Sequence, residues 1–115
     1  MNIAGIQARL AAFADERDWE QFHNPKNLAM ALAAESGELL EQFQWLTADQ
    51  SEQPDPSRLA RVAEEMADVL FYLVRLADRL EINLQQAAAD KLEVNRRKYP
   101  ADRVRGDARK YDEYE

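Results

Sequence analysis

The chain contains no cysteine. That excludes disulfide frameworks, thiol catalysis and cysteine-based zinc sites, and it fits a reducing compartment. No apolar run approaches the ~20 residues needed to span a bilayer. The opening segment, MNIAGIQARLAAFADERDWEQF, acquires charge too early to read as a secretory signal. A cytoplasmic protein without membrane contact is therefore expected. Cations are also in short supply: 15 Lys and Arg against 22 Asp and Glu give a net charge of −7. That balance argues against a broad surface for a nucleic acid polymer, because duplex binding rests on neutralising phosphates. It leaves room for a small anionic ligand, since metal ions reverse the local sign of an acidic site.

Glycine is scarce, with three residues in 115, and β-branched residues are few. Ala, Leu, Glu, Gln and Arg dominate, so local propensity is helical almost throughout. Neither a period-2 strand pattern nor an internal repeat is present. The hydrophobic content of 46% supports a core rather than a disordered acidic tail. A domain this small buries only roughly two-thirds of its unfolded surface, so a second copy would add stability.

The punctuation predicts four helices. The first runs from about Ile3 to Asp18, with Ile6, Leu10 and Phe13 on one face. Asn24-Pro25 reads as a cap followed by proline, and opens a second helix to about Leu46. The polar stretch TADQSEQPD reads as a loop. Asp55-Pro56 repeats the start signal for a helix from about Ser57 to Leu80. Its Leu59, Val62, Met66, Val69, Leu73, Ala77 and Leu80 form a seam of the heptad kind. Asn83 caps a fourth helix from Leu84 to about Lys98, with Gln86 placed for a loose capping box, and Pro100 ends it. Residues 1–100 are expected to form an all-α domain, an antiparallel four-helix bundle or its dimeric equivalent. Residues 101–115 read as a charged tail.

Two acidic pairs, Glu35/Glu38 and Glu65/Asp68, lie three residues apart on successive long helices. The spacing alone selects nothing, because acid-x-x-acid occurs nine times in this chain. Context separates these two. Asn27, Ala31, Gln42 and Trp45 continue the first stripe, and Arg61 and Tyr72 continue the second. Both run beside apolar seams, where unpaired acids are costly. Four carboxylates meeting between helices call for a hard divalent cation such as Mg²⁺. The structural alternative is salt bridging to Arg61, Arg75 or Lys91.

The segments RDWEQFHNPKNLAMALAAESGELLEQFQW, EEMADVLFYLV and KLEVNRRKYP, in that order, resemble the MazG-like all-α nucleoside triphosphate pyrophosphohydrolases, closest to their dCTP pyrophosphatase branch. The resemblance covers Arg17 to Pro100. It implies that Glu35, Glu38, Glu65 and Asp68 ligate Mg²⁺, with Mn²⁺ as a substitute. It also implies attack of water at the α-phosphorus of a triphosphate such as dCTP or a modified pyrimidine analogue. The products so implied are a monophosphate and pyrophosphate, and the role implied is cleansing of nucleotide pools. Glu38 is the acid expected to orient or deprotonate the water. Lys91 and Asn95, four apart on one helix, suit phosphate oxygens, with Arg96 or Arg97 assisting. Trp19, His23, Asn27, Phe43, Trp45 and Tyr72 are candidates for the nucleoside pocket. A homodimer or homotetramer is implied, and Lys110-Tyr111 resembles a pair near the ends of bacterial relatives. The competing reading keeps the fold as a non-catalytic nucleotide-binding or regulatory oligomer.

Overall fold

The computed structural model describes residues 1–108, and every regular element among them is a helix. In chain order these are α1 (Ile3–Glu16), α2 (Pro25–Glu41), α3 (Ala48–Ser51), α4 (Pro56–Arg79), α5 (Leu84–Lys98) and α6 (Ala101–Val104). They fall into two units, Met1–Ile82 and Asn83–Glu115. The expected count of four long helices therefore draws three from the first unit and α5 from the second. Lys110 and Tyr111 lie outside the described residues.

The expected caps are in place. Asn24 Oδ1 accepts the Asn27 N–H at 2.9 Å, Asp55 Oδ1 the Arg58 N–H at 2.8 Å, and Asn83 Oδ1 the Gln86 N–H at 3.0 Å. Each satisfies one of the orphan donors of a first helical turn. The loose capping box at Gln86 does not form, because that side chain donates to Asp90 Oδ1 at 2.8 Å. A full box forms instead at Thr47 and Gln50, where each side chain accepts from the other's backbone. It raises α3 from a stretch expected to be loop. Within the expected tail, α6 adds a further turn of helix.

Helix ends differ from expectation for identifiable reasons. α1 stops at Glu16, two residues early. Trp19 N–H bonds to Ala14 O at 2.9 Å and Asp18 N–H to Asp15 O at 3.1 Å, with Asp18 at φ 55°. That is a Schellman closure with aspartate in the left-handed position glycine usually fills. α4 closes the same way through Ile82 and Glu81, with Glu81 at φ 56°. α2 stops five residues before Leu46. Arg58 Nη1 donates to the Gln42 carbonyl, the oxygen that Leu46 N–H would need for another turn. Leu46 N–H turns to Phe43 O at 2.9 Å instead.

In the first unit α4 is the spine, against which both α2 and α1 pack. Gln42 meets Arg58 and Arg61, while Glu35 and Glu38 meet Glu65, so α2 and α4 run antiparallel. Ala14, Leu28, Val62, Val74 and Ala77 are buried. The heptad seam of α4 divides: Val62 and Ala77 turn inward, whereas Leu59, Met66, Leu73 and Leu80 are exposed. The exposed four recur every seven residues, so they form one line along the helix.

Candidate active site

Pairing α2 antiparallel to α4 brings the two acidic stripes together. Carboxylate oxygens of Glu35, Glu38 and Glu65 all lie within 4.8 Å of one another. Asp68 stands one turn further along α4. It is outside that tight triplet, but near enough for its charge to act on both Glu35 and Glu65.

The electrostatics are those of an uncompensated anionic cluster. The Glu35 carboxyl is pushed up from 4.5 to about 7, first by a hydrogen bond shared with Glu38, then by burial and the charges of Glu38, Asp68 and Glu65. Glu65 is raised too, chiefly by burial and then by Glu38. Oε2 of Glu35 and Oε2 of Glu65 are buried and find no hydrogen-bond donor among the described residues. Two of the cations that could have neutralised them, Arg61 and Arg75, are committed elsewhere. Arg61 donates to Gln42 Oε1 at 3.2 Å and Ser57 Oγ at 2.9 Å. Arg75 pairs with Glu20 and Asp78. Buried acceptors without donors, converging from two helices, match the needs of a hard divalent cation with oxygen ligands.

Beside the cluster opens a cleft of about 280 Å³ lined by residues of α1, α4 and the intervening 17–24 connection. Asp68 belongs to its wall, and so do Trp19, His23 and Tyr72. The Schellman closure of α1 sets Trp19, which packs edge-on against Phe13 with ring centroids 5.7 Å apart. Such a contact across the closure accompanies the motif. Trp19 and His23 rings then stand 6.1 Å apart. His23 N–H bonds back to Trp19 O at 3.2 Å, and Asn27 Nδ2 clamps Phe22 O at 3.0 Å. Asn27 thus holds the connection rather than lining the cleft.

Phe43 is half-buried, and Trp45 is 87% exposed beyond the end of α2; neither lines this cleft. Lys91, Asn95 and Arg96 lie on α5 in the second unit. Arg96 is held by Glu93 through contacts of 2.6 and 3.0 Å, so its charge is largely answered locally. Lys91 makes no ion pair among the described residues.

Glu20, Leu10, Phe13 and Phe71 are additions to the expected site, and Arg75, expected only as a salt-bridge alternative for its acids, pairs with Glu20 and Asp78 instead. A signal for part of this group was present. Extending the stripe Glu65, Asp68, Tyr72 by one more helical step reaches Arg75. Burial of a guanidinium is costly unless it is paired, and here Glu20 lies 2.9 Å and Asp78 3.2 Å away. His23 is kept below its ordinary pKa by burial and then by the Arg75 charge, with Glu20 opposing.

Residues 30–114 match the MazG-like family. Over 88 residues the chain is 49% identical to dCTP pyrophosphatase 1 of Mus musculus, covering 74% of this chain and 51% of that protein. It is 51% identical to dCTP pyrophosphatase 1 of Homo sapiens over 88 residues, with coverage of 74% and 51%. The chain thus spans about half the length of these curated relatives. The crystal structure of a pyrophosphatase from Archaeoglobus fulgidus DSM 4304 superposes with a TM-score of 0.77 at 46% identity, covering 81% of this chain and 87% of that one.

Proposed function

The chain belongs to the MazG-like family, and from that premise we propose that it is a Mg²⁺-dependent nucleotide pyrophosphohydrolase. Its substrate is dCTP or a modified pyrimidine analogue, cleaved to the monophosphate and pyrophosphate. The observation that carries this reading is the convergence of Glu35, Glu38 and Glu65 with buried acceptor oxygens that no donor among the described residues satisfies. The names of the relatives from mouse and human supply the nucleotide.

Glu35, Glu38, Glu65 and Asp68 would hold the cation, with Mn²⁺ as a substitute for Mg²⁺. A cation bound there supplies charge neutralisation for the phosphates and makes water a better nucleophile. The protein groups do the rest. Glu38, the exposed member of the triplet, is proposed to accept a proton from the attacking water. Trp19 and Tyr72 offer ring faces to a base, and Asp68 joins the cleft to the acidic cluster. Lys91 and Asn95 are proposed as donors to phosphate oxygens, with Arg96 in support once released from Glu93. The exposed line Leu59, Met66, Leu73 and Leu80 supports assembly with a second copy, as dimer or tetramer. A cytoplasmic location is proposed on the absence of cysteine.

A panel of nucleoside triphosphates incubated with Mg²⁺ tests the reading. Pyrophosphate and monophosphate are the expected products, with pyrimidine deoxynucleotides turned over best. Tight metal-dependent binding without any product would favour a non-catalytic nucleotide-binding module.

A further inference from the structure

Arg75 is the buried charged side chain of the described residues, 4% exposed, and its guanidinium is fixed from several sides. Nη2 donates to Glu20 Oε1 at 2.9 Å and Nη1 to Asp78 Oδ2 at 3.2 Å. Both acceptors are themselves anchored. Asp78 Oδ1 accepts from Gln7 Nε2 at 2.9 Å, and Glu20 Oε2 from Arg79 Nη1 at 2.9 Å. The plane of the guanidinium is therefore set by α1, the 17–24 connection and α4 together. Its Nε–H is directed at His23 Nδ1, 3.3 Å away. A guanidinium has donors only, so Nδ1 must be the acceptor and the imidazole proton must sit on Nε2.

We propose that Arg75 is a positioning residue that fixes His23 as the neutral Nε2–H tautomer, so that the cleft offers a hydrogen-bond donor to an acceptor on the nucleobase edge. This rests on the nucleotide reading above. The acceptor is a carbonyl oxygen or an unprotonated ring nitrogen, and an amino group at that position is disfavoured. Nε2 has no protein partner among the described residues, while His23 shares the cleft wall with Trp19 and Tyr72. A base lying against those rings would present its edge to the imidazole. Protonation would put a second N–H at Nδ1, facing the Arg75 donor. Burial of the ring, and then the charge of Arg75 with Glu20 opposing and Arg79 adding, keep the neutral form favoured.

His23 is the only histidine, so imidazole nitrogen NMR of the full chain reports this ring alone. The expected spectrum at neutral pH is one neutral species protonated at Nε2 only, in place of the mixed tautomers of a free imidazole. Arg75→Met should restore mixed tautomers and raise KM by about tenfold, with kcat changed far less. Should that variant fail to fold, His23→Gln and His23→Asn carry the substrate test. A glutamine amide reaches toward the Nε2 position and an asparagine amide toward Nδ1, so Gln should preserve KM better than Asn. A proton on Nδ1 in the unaltered chain would overturn the proposal, as would Asn matching or surpassing Gln. Absence of all turnover beside an Nε2-only spectrum would count against the proposed function while upholding the hold of Arg75 on His23. Turnover beside mixed tautomers would overturn this inference alone.

Discussion

Glu35 on α2 and Glu65 on α4 face each other across an antiparallel helix pair, and each carries a buried Oε2 that no donor reaches among the described residues. A fold that merely needed stability would have placed apolar or paired groups there. The arrangement stores repulsion that a divalent cation relieves, and this has a measurable pH signature. The Glu35 pKa rises from 4.5 to about 7 in the folded chain without metal. A carboxyl with a raised folded pKa favours folding while protonated. That contribution is complete below 4.5 and is lost as pH climbs through about 7. Glu65 shifts in the same direction. Thermal midpoints in chelator should therefore fall between about pH 5 and about pH 8. Added Mg²⁺ should raise them most at the alkaline end, where protons compete least with metal. A midpoint that ignores Mg²⁺ at every pH would remove the cation from this account.

Neutral isosteres separate metal holding from folding. Glu38→Gln and Asp68→Asn should lower turnover by roughly 10²–10³-fold or more while circular dichroism remains helical. Glu35→Gln should also abolish turnover, yet raise the metal-free melting temperature, because it removes one of the repelling charges. Full activity in Glu38→Gln and Asp68→Asn would show that the site lies elsewhere.

Trp19 has two jobs, closing α1 against Phe13 and lining the cleft. Trp19→Ala should cost both. The loss of base stacking corresponds to about 1–3 kcal/mol, a rise in KM of about 5–150-fold. The lost packing should lower the melting temperature in addition. An unchanged KM with lowered stability would confine Trp19 to its structural task.

The line Leu59, Met66, Leu73 and Leu80 should be covered in solution. Light scattering is expected to give a mass that is a multiple of 13.3 kDa. The double substitution Leu59→Glu and Leu80→Glu, at the two ends of the line, should reduce that mass toward a single chain. A wild-type mass of one chain would contradict the assembly.

How much of this was visible in the sequence depends on the range of the interactions involved. Asn24, Asp55 and Asn83 were legible because a cap bonds within three residues of itself. The convergence of the acidic stripes was legible because helical spacing and an apolar flank are local properties. The end of α2 was not, since the group that takes the Gln42 carbonyl is Arg58, sixteen residues away. The position of Arg75 on the α4 stripe suggests a partner for the acids of the cluster. Its true partners, Glu20 and Asp78, depend on how the 17–24 connection folds back on α4. Trp45 continues the α2 stripe only in a helix that reaches Leu46. With the helix ending at Glu41 the ring falls off the stripe and stands in solvent. Asp18 and Glu81 gave no local sign of helix closure, because both occupy a conformation that usually announces itself as glycine.

If the acidic cluster directs water to the α-phosphorus of a nucleoside triphosphate, the incoming oxygen must end in the monophosphate. The most direct measurement is hydrolysis of dCTP with Mg²⁺ in water enriched in heavy oxygen, read by phosphorus NMR and mass spectrometry. The expected products are pyrophosphate free of label and a monophosphate carrying it. Label in pyrophosphate, or release of orthophosphate with a diphosphate nucleotide, would contradict that route.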